Sequence, residues 1–264
     1  MATLLSLASG VIPEASPVQA VYAAFDAGFE AVGLWIEPAR WDVSVTRQVQ
    51  GALRATGLRV LDAEVVWLRP GPFDPALLAT IDIAAELGAA HVLVVSSDPN
   101  RASTLDRFVR LCEHARPLPL RVALEFGAFT DVPDLHAAAA ILRDAAQPNQ
   151  ALLVDALHLQ RSGGRPADLA ALPPEWFSYA QLCDAPAKGP SAGDRAAIRA
   201  EAVDRRLCSG EGELPLAQLL AALPAHTPLS LEVRSQALRR RYPDFSERAR
   251  AVLRQTQDWM RASV

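Results

Sequence analysis

Short β-branched and apolar runs alternate with longer segments whose apolar positions recur at helical spacing, and the alternation repeats along the chain. The β-rich runs fall at residues 3–7, 31–36, 58–68, 91–96, 122–126, 152–155, 179–183 and 229–233. Between them, residues 17–27, 45–56, 75–87, 104–115 and 133–145 carry the helical pattern. Ser16-Pro17, Asp74-Pro75 and Val132-Pro133 mark helix starts, and Gly28, Gly57 and Gly88 mark helix ends, the asymmetry that proline's fixed φ and glycine's freedom produce. Eight βα units fit a closed barrel or an open doubly wound sheet. No glycine-rich phosphate turn follows the first strand, so the expected fold is α/β, a single (β/α)8 TIM barrel spanning residues 1–264 as one domain. Residues 160–174 and 185–215 are irregular apart from a helical candidate at 195–204. Both stretches follow strands, and loops after strands build the functional face of a barrel.

Strands five to eight read RVALEFG, ALLVDALH, SYAQLCD and PLSLEVR. Period-two alternation turns Leu124 and Phe126 toward the helices and Glu125 inward, and does the same for Glu232 between Leu231 and Val233. Asp155 shares that placement. Gln181 is expected inward with Tyr179 and Cys183 on its own face. Three converging carboxylates repel one another and lose hydration, and a divalent cation relieves both penalties. An oxygen-rich set of Glu125, Asp155, Gln181 and Glu232 favours a hard ion, Mn2+ or Mg2+, with Gln181 the weakest ligand because its amide is neutral.

Other polar and aromatic residues fall near the same strand ends. His158 follows Asp155 in a D-x-x-H arrangement, and an imidazole that titrates near neutrality can serve there as donor or base. Glu64 and Asp62 are inward by alternation, while Trp67 and Trp35 are candidates for an apolar wall against a sugar ring. Arg161, before Ser162-Gly163-Gly164, is a candidate clamp for a phosphate, a carboxylate or a hydroxyl pair. Glu211, between two glycines, is expected to order a loop near the mouth on the substrate side, and Asp184 to cap a turn or orient Gln181.

Composition narrows the partners. The formal charge of −4 offers no broad attraction for phosphate backbones, so nucleic acid is not an expected partner. Half the residues are hydrophobic, enough for a large core, yet no run approaches the roughly 20 apolar residues that span a bilayer. Membrane insertion is not expected. Cys112, Cys183 and Cys208 are too scattered for a disulfide framework, which suits a cytoplasmic protein. The apolar N-terminus lacks a basic leading segment and reads as the first strand rather than a signal peptide.

The strand ends, with DALHLQRSGG after strand six and QLCDAP at strand seven, resemble the xylose-isomerase-like sugar phosphate isomerase and epimerase family across nearly the whole chain. The resemblance implies a metal-dependent barrel with a Glu, Asp, His, Glu ligand set, which maps onto Glu125, Asp155, Gln181 and Glu232 and departs from it at Gln181. It also implies that Glu125 and Glu232 form the acid/base pair, that His158 contacts substrate, and that Lys188 stands near the place of a substrate-binding arginine. A glutamine at the strand-seven position is similar to what inosose and 3-dehydroshikimate dehydratases carry.

The implied function is a divalent-metal-dependent sugar or sugar phosphate isomerase/epimerase acting through a metal-stabilised enediolate on a small polyhydroxy carbonyl substrate. The alternative is a metal-dependent dehydratase, a lyase of an inosose-like or 3-dehydroshikimate-like ketone with His158 as base. An apurinic endonuclease needs further metal-binding histidines, for which His91 and His114 are poorly placed, and a non-catalytic ligand-binding barrel leaves the carboxylates unused. Many related barrels pair, so a homodimer is a further expectation.

Overall fold

A computed structural model of the chain describes residues 3–263. Eight parallel strands close into a barrel in chain order: β1 (Leu5–Leu7), β2 (Ala31–Trp35), β3 (Arg59–Leu68), β4 (His91–Ser96), β5 (Arg121–Glu125), β6 (Gln150–Asp155), β7 (Ala180–Leu182) and β8 (Leu229–Leu231). Around them run α1 (Pro17–Ala27), α2 (Val43–Thr56), α3 (Ala76–Glu86), α4 (Arg101–Ala115), α5 (Leu135–Ala145), α6 (Ala156–Arg161), α7 (Arg195–Asp204), α8 (Leu216–Ala222), α9 (Gln236–Arg241) and α10 (Phe245–Ser263). The fold is a single (β/α)8 TIM barrel.

Local chemistry sets the boundaries. Ser16 caps α1 in a reciprocal box with Gln19, and Pro17 opens the helix where its missing N–H leaves no bond unmade. Asp42, Asn100 and Asp134 cap α2, α4 and α5 through a side-chain oxygen that accepts the N–H three residues on. The irregular stretch at 160–174 holds the end of α6 and two short 3-10 turns, Pro166–Ala171 and Pro174–Trp176.

Alternation along the strands sorts the apolar residues into two cores. Val92, Val94, Val122, Leu124, Leu152, Val154, Leu229 and Leu231 join the layer beneath the helices. Ala31, Leu61, Leu93, Val95, Ala123, Ala151, Leu153 and Tyr179 fill the barrel. The inward columns therefore run Ala123–Glu125, Ala151–Leu153–Asp155 and Tyr179–Gln181, each ending in a polar side chain at the C-terminal mouth. Cys183 departs from the expected alternation: β7 stops at Leu182, and Cys183 packs in the outer layer.

β3 breaks strict alternation twice. Against β2, Val32 pairs with Val60 and Gly33 with Asp62, so Leu61 is extra; against β4, Ala63 pairs with Val92 and Val66 with Val94, so Glu64 and Val65 oppose Leu93 alone. Such bulges re-aim side chains. Here they bring Asp62, Glu64 and Trp67 to the inside of one strand.

Candidate active site

Asp155 ends β6 and caps α6, its Oδ1 accepting from the His158 N–H at 2.9 Å. The spacing D-x-x-H thus has a local cause, because a helix that starts on Asp155 turns His158 back over it. On the other carboxylate oxygen sits the guanidinium of Arg206, whose Nη1 donates to Asp155 Oδ2. Arg206 also meets the Cys183 sulfur at 3.3 Å, His158 Nε2 at 3.3 Å and the Ala202 carbonyl at 2.7 Å. Its backbone is pinned between two strand ends: Arg206 N–H donates to the Arg234 carbonyl at 3.0 Å, while Leu207 and Asp184 exchange bonds at 2.8 and 2.9 Å.

This buried pair decides the charges around it. Burial drives the Asp155 carboxyl up, but the Arg206 charge and the hydrogen bonds from Arg206 and the His158 N–H outweigh it and hold the carboxyl below its ordinary range. Burial, with the Arg206 charge acting in the same direction, pushes the His158 imidazole down to about 4, so it is neutral at pH 7. With Arg206 donating to Nε2, the proton of the neutral ring belongs on Nδ1.

Glu125 stands on the next strand, with Oε1 3.9 Å from His158 Nε2. Ligand atoms of Glu125, Asp155 and His158 all lie within 4.8 Å of one another. Gln181 reaches into the same group: turned with its nitrogen toward the carboxylates, it donates to Glu125 Oε1 at 2.8 Å and to Asp155 Oδ2 at 3.3 Å. Turned the other way, its oxygen faces them, the orientation that a shared cation requires. Burial, then the Asp155 charge, holds Glu125 well above the ordinary carboxyl range. Glu232 faces the same chamber from beyond the end of β8, and its Oε2 has no hydrogen-bond partner. Burial and the neighbouring Glu64 push Glu232 up to about 7.

The chamber measures about 160 Å3 and is walled by Glu64, Trp67, Glu125, His158, Gln181 and Glu232, with Trp35, Arg199, Arg206 and Arg234 at its edges. Glu64 Oε2 accepts from the Ser9 hydroxyl at 3.0 Å, and the Trp67 indole N–H donates to Ser97 at 2.7 Å. Deeper in the barrel, Asp62 is fully buried, both its oxygens unpartnered, as are the hydroxyls of Ser6, Tyr179 and Ser230. Burial raises Asp62 to about 7 and Glu64 to about 8.

The barrel brings Glu125, Asp155, Gln181, Glu232, His158, Glu64 and Trp67 together, and leaves three other candidates outside the chamber. The Arg161 guanidinium is consumed by Glu201, at 2.8 Å through two nitrogens, and by the carbonyls of Pro186 and Ala187, so it pins the loop after β7. Lys188 is exposed on that loop and does not line the chamber. Glu211 caps its own turn, accepting from the Cys208 N–H at 3.0 Å. Asp184 is a staple too, accepting from the N–H groups of Ala185, Gly210 and Leu214 at 2.8 to 3.0 Å. His91 lies inside the barrel, stacked on Tyr179 with ring centroids 4.3 Å apart, and His114 pairs with Asp82 on the surface. Arg206 escaped the sequence reading: it lies in the irregular stretch 185–215, where no periodicity assigns an orientation, and only its place just after the 195–204 helix hinted at a return toward the mouth.

A closed parallel barrel with its acids gathered at the C-terminal mouth defines a class of enzyme-like barrels in which strand ends supply the chemistry. The chain belongs to the xylose isomerase-like TIM barrel family, whose model matches residues 21–263. No curated protein sequence matches it. Solved structures share its fold at low identity. A xylose isomerase-like TIM barrel/4-hydroxyphenylpyruvate dioxygenase fusion protein is 22% identical at a TM-score of 0.79, over 96% of this chain, which spans only 42% of that one. The IOLI protein, with a binding zinc atom, is 15% identical at a TM-score of 0.82 over 99% of both chains. The probable 3-DHS dehydratase AsbF from Bacillus anthracis, involved in petrobactin synthesis, is 16% identical at 0.73 over 95% of this chain and 97% of that one. No helix among the described residues is long and apolar enough to cross a membrane.

Proposed function

We propose that this protein is a divalent-metal-dependent isomerase or epimerase that removes a proton beside the carbonyl of a small polyhydroxy compound. The observation that carries the reading is the placement of Glu125 and Glu232: two buried carboxyls face one small chamber from strands three apart in the ring. A substrate carbon between them meets a carboxyl on either side, which is what moving a proton off one face and onto another requires.

The residues fit a metal. Glu125 and Asp155 converge with the Gln181 amide between them, Glu232 keeps a buried oxygen without a partner, and Arg206 pairs directly with Asp155 while leaving Glu125 and Glu232 above their ordinary range. Glu125, Asp155, Gln181 and Glu232 would hold the ion, and Mg2+ or Mn2+ suits their oxygen donors. A divalent ion there supplies Lewis-acid polarisation of a carbonyl. Neutral His158 lines the chamber and accepts a proton from substrate once Nε2 exchanges its Arg206 N–H for it, and Trp67 closes the apolar side.

The second reading is dehydration, in which the same deprotonated carbon expels a neighbouring hydroxyl. It is favoured by His158, a neutral imidazole lining the chamber, and by the glutamine at position 181. Proton NMR in D2O of Mg2+-loaded protein with ketoses, inososes and 3-dehydroshikimate separates the two. Loss of the carbonyl-adjacent proton with interconverted sugars marks the isomerase, and an unsaturated or aromatic product marks the dehydratase. Glu125→Gln should slow exchange by about 10^2 or more. Exchange that is absent with every substrate, or unchanged in that variant, would sink the enolising site.

A further inference from the structure

Beside the chamber, the loops after β1 and β2 leave a second cavity of about 480 Å3, walled by Ile12, Leu34, Trp35, Trp41 and Arg234, with Glu37 at its rim neutralised by Arg40 at 3.2 Å. Trp35 and Arg234 line both cavities, so the two spaces share a wall. Trp41 is fixed by its indole N–H, which donates to Thr46 at 3.0 Å. Trp35 is 42% exposed, with an aromatic face that the fold does not cover.

Among the arginines near the mouth that are drawn in from solvent, Arg234 is the odd member, Arg199 being exposed. Arg161 is paired with Glu201 and Arg206 with Asp155. The half-buried Arg234 side chain has no ion pair and donates no hydrogen bond among the described residues, and its Nε is buried without a partner. A buried guanidinium nitrogen left unpaired forfeits the hydrogen bond that water would have given it. The backbone leaves room for this side chain: a Cβ on Gly10 would run into Glu232 Oε1 and stand 2.6 Å from Arg234 Cγ and 2.8 Å from Cδ. Glycine at position 10 lets both the arginine stem and the Glu232 carboxyl lie against the β1 loop.

We infer that this cavity is a subsite for an anionic group, a carboxylate or a phosphate, with Arg234 as its counterion and Trp35 as its platform. The anion belongs to a substrate whose carbonyl end enters the Glu125–Glu232 chamber, and that link rests on the function proposed above. Anion binding itself does not. A guanidinium matches either oxyanion through paired N–H donors, and an aromatic face beside it accepts the flat or apolar part of the same molecule.

The test uses metal-free protein, so the ion site plays no part in it. Benzoate, phenyl phosphate and benzyl alcohol are titrated while tryptophan fluorescence and binding heat are recorded. At least one anion should bind about tenfold or more tighter than the neutral alcohol. Arg234→Met should weaken that anion by about tenfold or more and leave benzyl alcohol unchanged. Trp35→Phe should reduce the fluorescence response, leaving only the part that Trp41 reports. Tighter phenyl phosphate assigns the subsite to phosphates, and tighter benzoate assigns it to carboxylates. Equal binding of alcohol and anions, or full anion affinity in folded Arg234→Met, would overturn the inference. Failed proton exchange in the separate D2O assay would remove the chemistry and leave this result standing.

Discussion

Two aspartates lie fully buried in this barrel, and their surroundings drive them in opposite directions. Asp155, at the mouth end of β6, has Arg206 on one oxygen and the His158 N–H on the other, and stays ionised. Asp62, deeper on β3, has neither oxygen bonded and rises to about 7. Burial is common to both, so burial alone does not determine the charge; the available partners do. The β6 side keeps a negative charge at the mouth of the barrel. The β3 side holds its acids near neutrality, with Glu64 at about 8 beside the chamber.

Removing Arg206 would give Asp155 the condition of Asp62, and this is the largest effect expected. Arg206→Met strips a buried carboxylate of its counter-charge and should destabilise the fold by about 3–5 kcal/mol. In the parent, Asp155 lies below its unfolded value, so its contribution is present above that value and lost as pH falls. In the variant the carboxyl rises, and stability is lost as pH increases. The gap between variant and parent should therefore widen from acid to neutral pH in urea melts, and Arg206→Met/Asp155→Asn should narrow it. Equal midpoints for variant and parent at pH 7 would show that the pair carries no such weight.

The same contrast explains what was legible in the sequence. Asp155, Glu125 and Glu232 sit at strand ends, where period-two alternation fixes an inward direction, so their convergence followed from the eight-strand pattern. The strand positions were legible for a similar reason: parallel strands buried on both faces are continuous apolar runs, set off from the helices by starts such as Ser16-Pro17. Arg206 had no such guide. Its position depends on backbone bonds to Asp184 and Arg234, contacts between loops remote in sequence, and those also turned Arg161 from a candidate clamp into a loop anchor. The two bulges of β3 were equally hidden, since they arise from pairing with β2 and β4 rather than from composition.

Neutralising Asp62 sharpens the comparison from the other side, with an effect of opposite sign. Its folded value of about 7 stands above the ordinary 3.8, so the folded protein binds the extra proton between those limits and stability falls as pH rises through them. Asp62→Asn removes that slope. The variant should match the parent near pH 4 and exceed it at pH 8 by about 4 kcal/mol, about 2–4 °C in Tm for each kcal/mol. Taking the difference between the two proteins cancels His91 and His158, which both fall to about 4 and titrate in the opposite sense. A variant less stable than the parent at pH 8 would mean that the ionised Asp62 carboxylate finds donors or a cation.

The smallest effect tests whether Asp62 is held by shape. Gly33 pairs with Asp62 across β2 and β3, and a Cβ placed on it would stand 3.0 and 3.2 Å from the two carboxyl oxygens. Gly33→Ala should destabilise the parent by about 1–2 kcal/mol through that crowding. In an Asp62→Ala background the crowding is gone, and only the lower entropy of alanine in the unfolded chain remains, worth about 0.4–1 kcal/mol in favour of the folded state. The sign of the Gly33→Ala change should therefore reverse between the two backgrounds, read as a double-mutant cycle in urea. A loss of the same size in both would place the strain in the β2 backbone. The bare surface of Gly33 would then have no part in seating the unpaired acid, and the contrast with Asp155 would rest on hydrogen bonding alone.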